Sequence, residues 1–165
     1  MEQSKGFRYA AMVESGNIQG LSFLIVDDEE SSLALVESIL RSLGASRIVC
    51  AKSGSDAITM LTKAKRPFDC TLSDFQMPHG NGLQLLKALR TGMIPQTRPD
   101  TCFIMMSGSA DTDVVKTAAE LDVSGYLVKP LVPEKLRSAI TRGRSKYFPV
   151  NRAAYAAVPV PQSVL

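Results

Sequence analysis

Apolar residues fall along this chain in two alternating patterns: short continuous runs, and longer stretches in which they recur every three or four positions. The short runs have the length of β-strands, and the spaced stretches are typical of amphipathic helices. Together the two patterns predict five strands that alternate with five helices. The predicted strands are Leu21–Val26, Arg47–Ala51, Phe68–Ser73, Thr101–Met106 and Gly125–Val128.

The stretches between the strands contain helix start and stop signals. Ser53 and Asn81 are suited to cap the second and third helices, because their side chains can accept a backbone N–H at a helix start. Gly44 follows the apolar spacing of the first helix, and Pro67 lies just beyond the second. The predicted helices run from Ser31 to Leu43, Ser53 to Ala64, Asn81 to Leu89, Ala110 to Leu121 and Glu134 to Arg144.

Strands of continuous rather than alternating hydrophobicity are typical of a parallel sheet that helices cover on both faces. The order of elements therefore predicts an α/β fold, a doubly wound five-stranded parallel sheet with right-handed crossovers. We expect this domain to occupy residues 21–145. Residues 1–20 are predicted to form an N-terminal extension, and residues 146–165, rich in proline and alanine, a loose C-terminal tail.

The composition of the 165-residue chain is that of an ordinary globular domain, with 45% hydrophobic and 21% charged residues. No apolar run approaches the roughly 18 residues of a membrane-spanning helix, and residues 1–20 lack the apolar core of a secretory signal. We therefore expect a cytoplasmic protein without a membrane partner. The three cysteines are widely spaced without a C-x-x-C motif, and His79 is the single histidine, so the sequence lacks the ligand spacing of a zinc site.

The net charge of +3 hides an uneven distribution. The segment from Lys135 onward carries six basic residues and no acidic one. Such a segment can attract an acidic partner, and basic side chains also suit the C-terminal end of a helix through its dipole. Arg137, Arg142 and Arg144 are candidate contacts for an acidic partner protein. No element that reads DNA is recognisable, so we expect no direct nucleic-acid partner.

Polar side chains follow four of the five predicted strands. Asp27 and Asp28 come after the first strand, Asp74 after the third, Ser107 after the fourth and Lys129 after the fifth. Ligands of an open parallel sheet bind beyond the carboxyl ends of its strands. We therefore expect these five side chains to meet at one edge. Their joint position favours a functional site over five unrelated caps, turns and surface charges.

Three carboxylates at one edge repel each other by about 4 kcal/mol per pair, at about 4 Å and an effective dielectric of about 20. Either one carboxyl takes up a proton or a cation joins them, and such an all-oxygen site suits Mg²⁺, or Mn²⁺. With the Lys129 ammonium and the Ser107 hydroxyl, the cluster can bind a phosphoryl group. His79 alone makes no catalytic triad, and no nucleotide-binding glycine motif is present. Asp74 is the candidate nucleophile, since a carboxylate can accept a phosphoryl group as an acyl phosphate.

Four motifs, in this order along the chain, resemble those of the response regulator receiver domain of two-component signalling. They are Leu24-Ile-Val-Asp-Asp-Glu29, Leu72-Ser-Asp-Phe-Gln-Met-Pro78, Met106-Ser-Gly108 and Gly125-Tyr-Leu-Val-Lys-Pro130. The motifs are specific in combination, whereas an acidic pair or a Lys-Pro pair alone is not. The resemblance covers about residues 21–145 and implies the flavodoxin-like (βα)5 receiver fold.

The resemblance implies that Asp74 is the phosphoacceptor. Its donor would be a phosphohistidine on a sensor histidine kinase or on a histidine phosphotransfer protein. Asp28, Asp74 and the backbone carbonyl of Gln76 would hold Mg²⁺, and Asp27 would assist through water. Such a protein is a signalling phosphoacceptor rather than an enzyme, with self-catalysed phosphoryl transfer and slow autodephosphorylation.

The resemblance also implies a conformational switch. Ser107 and Lys129 would bind phosphoryl oxygens, and Tyr126 would turn inward when Ser107 moves onto the phosphoryl group. The Lys129–Pro130 bond is expected to be cis. Gln76 and Ser109 flank the route of the attacking water in this family, and both are neutral here, so neither indicates how long the acyl phosphate lasts.

We expect a stand-alone response regulator, because residues 146–165 are too few for an output domain. It would signal to a downstream protein through the face built from the fourth helix, the fifth strand and the fifth helix. A homodimer through the same face is one expected assembly. Two alternatives remain: a degenerate receiver that only docks partners, and a phosphohydrolase of the haloacid dehalogenase type. The second expects D-x-D-x-T/V after the first strand, which Asp27-Asp-Glu-Glu30 does not fit.

Overall fold

The five predicted strands form one parallel sheet in the computed structural model, which describes residues 18–162. Most of the predicted N-terminal extension, residues 1–17, and residues 163–165 lie outside the described part. The strand order is β2-β1-β3-β4-β5, which confirms the doubly wound α/β prediction. The strands are β1 (Ser22–Val26), β2 (Arg47–Ala51), β3 (Cys70–Asp74), β4 (Cys102–Ser107) and β5 (Gly125–Val128).

The five predicted helices begin and end within a few residues of their predicted positions, and a sixth helix, Arg152–Ala157, was not predicted. Ser53 accepts the Asp56 N–H at the start of the second helix, and Asn81 forms a reciprocal capping box with Gln84 at the start of the third. No helix within residues 18–162 is long and apolar enough to span a bilayer. The helices are α1 (Glu30–Ser42), α2 (Gly54–Lys63), α3 (Gly82–Arg90), α4 (Thr112–Glu120), α5 (Pro133–Ser145) and α6 (Arg152–Ala157).

Alternate residues of each central strand enter two separate apolar layers, because successive side chains of a strand point to opposite faces. In β1, Phe23 and Ile25 pack with α1 and α5, whereas Leu24 and Val26 pack with α2, α3 and α4. All four side chains are fully buried. The sheet is thus covered on both faces, which leaves its carboxyl edge as the open place for a site.

The sheet changes winding direction at β1, which lies between β2 and β3. The loops that follow β1 and β3 therefore separate at this point and leave a crevice at the carboxyl edge. Two glycines allow the crevice wall to pack closely. A Cβ on Gly82 would lie 2.5 Å from the backbone oxygen of Asp74, and one on Gly54 would lie 2.6 Å from that of Gly80.

The prediction of a loose tail is wrong for residues 146–162, which we call the strap. The strap packs against the domain, and Tyr155 in α6 is only 2% exposed. Asn151 caps α6 by accepting the Ala154 N–H, and alanines on both sides of Tyr155 favour the helix. At Gly92, an added Cβ would lie 2.8 Å from the Arg152 guanidinium carbon, so the strap touches the domain backbone there.

Candidate functional site

Two consecutive aspartates at the end of β1 have different environments. Asp27 is fully buried. Its Oδ1 accepts the backbone N–H of Glu29 at 3.0 Å, and its Oδ2 accepts the Lys129 ammonium at 2.8 Å. Asp28 is exposed and lines the pocket at the carboxyl edge, which we call the edge pocket. Asp27 therefore positions Lys129 from below, while Asp28 faces the pocket.

Asp74 ends β3 and brings a third carboxylate to this edge. Its Oδ1 accepts the Phe75 N–H at 2.9 Å and lies 3.6 Å from the Lys129 Nζ. One oxygen from each of Asp27, Asp28 and Asp74 lies within 4.8 Å of the other two. The three carboxylates predicted from the strand ends therefore do meet.

Burial and like charge act together on Asp74. Burial raises the pKa of this carboxyl from 3.8 to about 6, with Lys129 opposing the rise and Asp27 and Asp28 adding to it. Burial lowers the pKa of Lys129, but its hydrogen bond with Asp27 and its attraction to Asp74 outweigh that, so the pKa is raised overall. One ammonium therefore offsets only part of the negative charge of three carboxylates.

The donor set fits a hard divalent cation. Three clustered carboxylates whose charge exceeds the neighbouring positive charge are the oxygen ligands that Mg²⁺ and Mn²⁺ prefer. Gln76, whose backbone carbonyl is the fourth predicted ligand, lines the same pocket as Asp28 and Asp74. The acidic cluster is therefore compatible with divalent metal binding.

Ser107 and Lys129 complete the edge pocket from β4 and β5. The Lys129 N–H donates to the Ser107 carbonyl at 2.7 Å, which continues the pairing of the two strands. The Lys129–Pro130 peptide bond is cis, as the resemblance predicted. The Ser107 Oγ accepts the Ser109 N–H at 3.3 Å, so its own proton is not used in that bond. All five predicted side chains therefore converge on one edge.

Tyr126 links β5 to the loop after β4. Its Oη donates to the Ser109 carbonyl at 3.1 Å, and its ring packs against the apolar layer of α2, α3 and α4. The side chain is half-buried. Movement of the loop that carries Ser107 and Ser109 therefore bears directly on the position of this ring.

Part of the pocket wall was not predicted. Asn81 at the start of α3, Asp111 and Val114 at the start of α4, and Pro161 and Gln162 of the strap also line it. From the sequence, Asn81 and Asp111 could be recognised only as residues suited to cap a helix. The strap has no regularly spaced apolar residues. Asn151, a residue suited to cap a helix, was the one feature of its sequence that indicates ordered structure.

Comparison with known proteins gives a family for this fold and site. Residues 23–141 match the family model described as the response regulator receiver domain. The chain is 34% identical over 120 residues to a probable chemotaxis protein CheY from Rhizobium etli, covering 73% of this chain and 89% of that protein. It is 36% identical over 119 residues to the two-component response regulator ARR14 of Arabidopsis thaliana, covering 72% of this chain but only 30% of that protein.

A solved structure shares the fold. The receiver domain of the sensor histidine kinase PA1611 from Pseudomonas aeruginosa, described with a magnesium ion coordinated in its active-site cleft, aligns with a TM-score of 0.66. The match covers 77% of this chain and 99% of that one at 20% identity, so it shows the fold alone. With the family match over residues 23–141, the chain belongs to the response regulator receiver domain family.

Proposed function

We propose that Asp74 accepts a phosphoryl group from a phosphohistidine and that the protein acts as a response regulator. The donor would be a sensor histidine kinase or a histidine phosphotransfer protein. One observation carries this proposal: three carboxylates lie within 4.8 Å of one another, with the Lys129 ammonium 3.6 Å from Asp74. Carboxylates alone would repel an incoming phosphoryl group, and the ammonium beside the nucleophile counteracts that repulsion.

In the transfer step a carboxylate oxygen of Asp74 attacks phosphorus in line with the leaving imidazole. An O–P bond forms, the P–N bond breaks, and the imidazole nitrogen leaves with the electron pair and takes a proton from solvent. Lys129 holds one phosphoryl oxygen, and the Ser107 hydroxyl donates to another. A divalent cation held by Asp28, Asp74 and the Gln76 carbonyl, with Asp27 behind it, supplies further positive charge when bound.

The acyl phosphate is then lost by water, without a dedicated base. Gln76 and Ser109 both line the edge pocket and are neutral, so neither can take a proton from the attacking water efficiently at neutral pH. We expect self-catalysed and slow dephosphorylation because the chain belongs to the receiver domain family; the two neutral side chains alone do not set its rate. The protein is a signalling phosphoacceptor that changes state rather than an enzyme that turns over a substrate.

Phosphorylation would act by shifting a population between two arrangements of the β4–α4 loop. The phosphoryl group adds about 1.5–2 negative charges, and the Ser107 hydroxyl reaches it only if this loop moves. Because Tyr126 donates to the Ser109 carbonyl in that loop, the ring moves with it. The α4–β5–α5 face then changes shape, and two exposed valines, Val128 and Val132, lie on that side of the molecule.

We further propose a cytoplasmic, stand-alone regulator that signals by protein contact. The match covers 89% of a probable chemotaxis protein CheY, which supports this proposal, whereas it covers only 30% of the plant relative. The downstream partner, and a second copy of this chain as a homodimer, would bind the α4–β5–α5 face. The exposed Arg142 of α5 favours an acidic surface, whereas Arg137 is bonded to Glu134 on the same helix.

Labelling with acetyl phosphate tests the acceptor directly. In the presence of Mg²⁺, wild-type protein should acquire phosphate that base and hydroxylamine remove, visible as a shifted band on a phosphate-affinity gel. Asp74→Asn should abolish the label, because an amide is not a nucleophile for this reaction, and a chelator should abolish it in wild type. Asp100→Asn is the matched control, since Asp100 pairs with Arg98 in the loop before β4. Undiminished labelling of Asp74→Asn would place the acceptor elsewhere.

A further inference from the structure

The strap closes one side of the edge pocket. Pro161 and Gln162 line it together with Asp74, Ser107 and Lys129. The family match ends at residue 141, so membership of the family does not account for this wall. A segment beyond the matched region therefore borders the proposed phosphorylation site.

The strap is anchored far from the pocket by aromatic side chains. The Arg90 guanidinium lies 4.8 Å from the centre of the Phe148 ring, at the end of α3. Tyr155 is buried in the apolar layer that α3 and α4 share, and its Oη donates to Oδ2 of Asp122 at 2.6 Å. The strap is thus fixed at its start and middle before it reaches the pocket.

Three side chains spaced three residues apart, from the N-cap of α3 into the helix, hold the remainder of the strap. Positions three apart lie on one face of a helix, so three donors from successive turns can follow one extended segment. Their acceptors are oxygen atoms of the strap. The bonds join Asn81 Nδ2 to the Pro161 carbonyl (2.8 Å), Gln84 Nε2 to the Gln162 Oε1 (2.9 Å) and Lys87 Nζ to the Val158 carbonyl (2.6 Å).

The strap also packs against groups that the proposed switch would move. Val158 and Val160 pack on the same apolar layer as Val114, at the start of α4, and Tyr126. Interiors are close-packed, so a shift of one member requires its neighbours to repack. A movement of the β4–α4 loop that carries Tyr126 with it therefore disturbs the seat of the strap.

The phosphoryl group and the docked strap compete for the same surroundings. Pro161 and Gln162 border the pocket, and the Pro161 carbonyl and the Gln162 Oε1 accept hydrogen bonds from Asn81 and Gln84. A phosphoryl group on Asp74 would place about 1.5–2 negative charges in this pocket. The charged group would enter a pocket that Pro161 and Gln162 wall off, and the ring of Tyr126, which shares an apolar layer with Val158 and Val160, would repack. Both effects disfavour the two states together.

We propose that docking of the strap and phosphorylation of Asp74 are negatively coupled, so that the docked strap holds the unphosphorylated arrangement and phosphorylation loosens the strap. This inference rests on the proposed function. Coupling between two binding events is reciprocal. Undocking the strap by mutation must therefore strengthen binding at Asp74, by at most the factor by which a group at Asp74 loosens the strap.

Beryllofluoride with Mg²⁺, a stable mimic of the phosphoryl group, tests both directions on the full chain. Hydrogen exchange followed by mass spectrometry should show exchange of the strap amides rising about fivefold or more on addition of the mimic, with α1 unchanged. Calorimetric titration of Tyr155→Ala should show beryllofluoride affinity raised more than about twofold, up to the same factor. Tyr147→Ala is the matched control, since Tyr147 belongs to the strap but is 89% exposed.

The outcomes separate the two proposals. The coupling is overturned, and the proposed function stands, if beryllofluoride binds but the hydrogen exchange of the strap stays unchanged or becomes slower. In that case the affinity of Tyr155→Ala for beryllofluoride would also lie within about twofold of wild type. No beryllofluoride binding and no acetyl phosphate labelling of wild type overturns both. If Tyr155→Ala does not fold, Tyr155→Phe replaces it, because it keeps the ring and removes only the bond to Asp122. Its affinity should rise in the same direction by a smaller factor.

Discussion

The carboxyl edge of the sheet and the strap border the same pocket, but their interactions have opposite effects on the folded state. At the edge, three carboxylates lie within 4.8 Å of one another, and Lys129 contacts two of them. In the strap, carbonyl and amide oxygens accept hydrogen bonds from α3, and Tyr155 fills an apolar layer. The edge therefore destabilises the folded state until a further cation binds there, whereas the strap stabilises the folded state.

The pKa values of the two regions show the same difference. Burial is the main cause in both, raising the pKa of Asp74 to about 6 and that of Tyr155 to about 12. At Asp74 the neighbouring carboxylates add to the rise, which reflects repulsion. At Tyr155 the hydrogen bond donated to Asp122 adds to it, which reflects attraction. The ionised carboxylate of Asp74 is thus destabilised by its surroundings before any cation or phosphoryl group binds. The Tyr155 hydroxyl, which anchors the strap, is stabilised by its hydrogen bond.

Removing the cation of the edge should have the largest effect on stability. Lys129→Met leaves the fully buried Asp27 without its partner at 2.8 Å. Breaking a buried ion pair at one end costs about 3 kcal/mol. Urea unfolding at neutral pH with a chelator measures the loss. Lys52→Met, which breaks the exposed pair with Glu30, should cause no measurable change. Equal stabilities of Lys129→Met and wild type would contradict the electrostatic description of the edge.

The titration of Asp74 should produce a smaller, pH-dependent effect. The folded-state pKa is raised, so the favourable contribution is complete below pH 3.8 and is lost as the pH rises through about 6. Without divalent ions, the free energy of unfolding of wild type should therefore fall relative to Asp74→Asn by about 2 kcal/mol over this range.

Divalent ions provide the control for that titration. At neutral pH, Mg²⁺ should stabilise wild type in proportion to its binding, and Asp74→Asn much less, because a ligand that binds only the folded state raises its stability. The raised pKa of Asp74 would be contradicted if the free energies of unfolding of wild type and Asp74→Asn changed in parallel from pH 4 to pH 7, both without and with Mg²⁺.

The hydrogen bond that anchors the strap should have the smallest effect. Tyr155→Phe removes the donor to Asp122 and keeps the buried ring, so the free energy of unfolding should fall by about 1 kcal/mol at neutral pH. The folded-state pKa of Tyr155 is raised, so this contribution is present below about pH 10 and is lost as the pH rises toward 12. Tyr147→Phe, at an exposed position, should match wild type; an equal loss in both variants would contradict the anchor.

The edge could be predicted from the sequence, and the strap could not, for a physical reason. Strand ends in a parallel sheet converge whatever the side chains are, so the residues after β1, β3, β4 and β5 meet by geometry alone. Asp74 and Lys129 follow directly from that rule. The hydrophobic runs show where each strand ends, and such runs are easy to recognise in the sequence.

The strap is held by contacts that leave no periodic pattern. Its backbone carbonyls accept bonds from Asn81 and Lys87, and any residue type supplies a carbonyl. Tyr155 is a single aromatic residue among alanines, which indicates a short helix but not where it docks. The burial of both Asp27 oxygens in bonds to Glu29 and Lys129 likewise depends on loop geometry that the motif does not specify.

Chemical mapping of the phosphorylated residue tests the central claim most directly. Wild-type protein labelled by acetyl phosphate with Mg²⁺ is reduced with borohydride, which converts an aspartyl phosphate to homoserine, and its peptides are sequenced by mass spectrometry. Our account predicts homoserine at position 74, and none when a chelator is present. Homoserine at position 27 or 28, phosphate retained on His79, or labelling that is independent of divalent ions would contradict it.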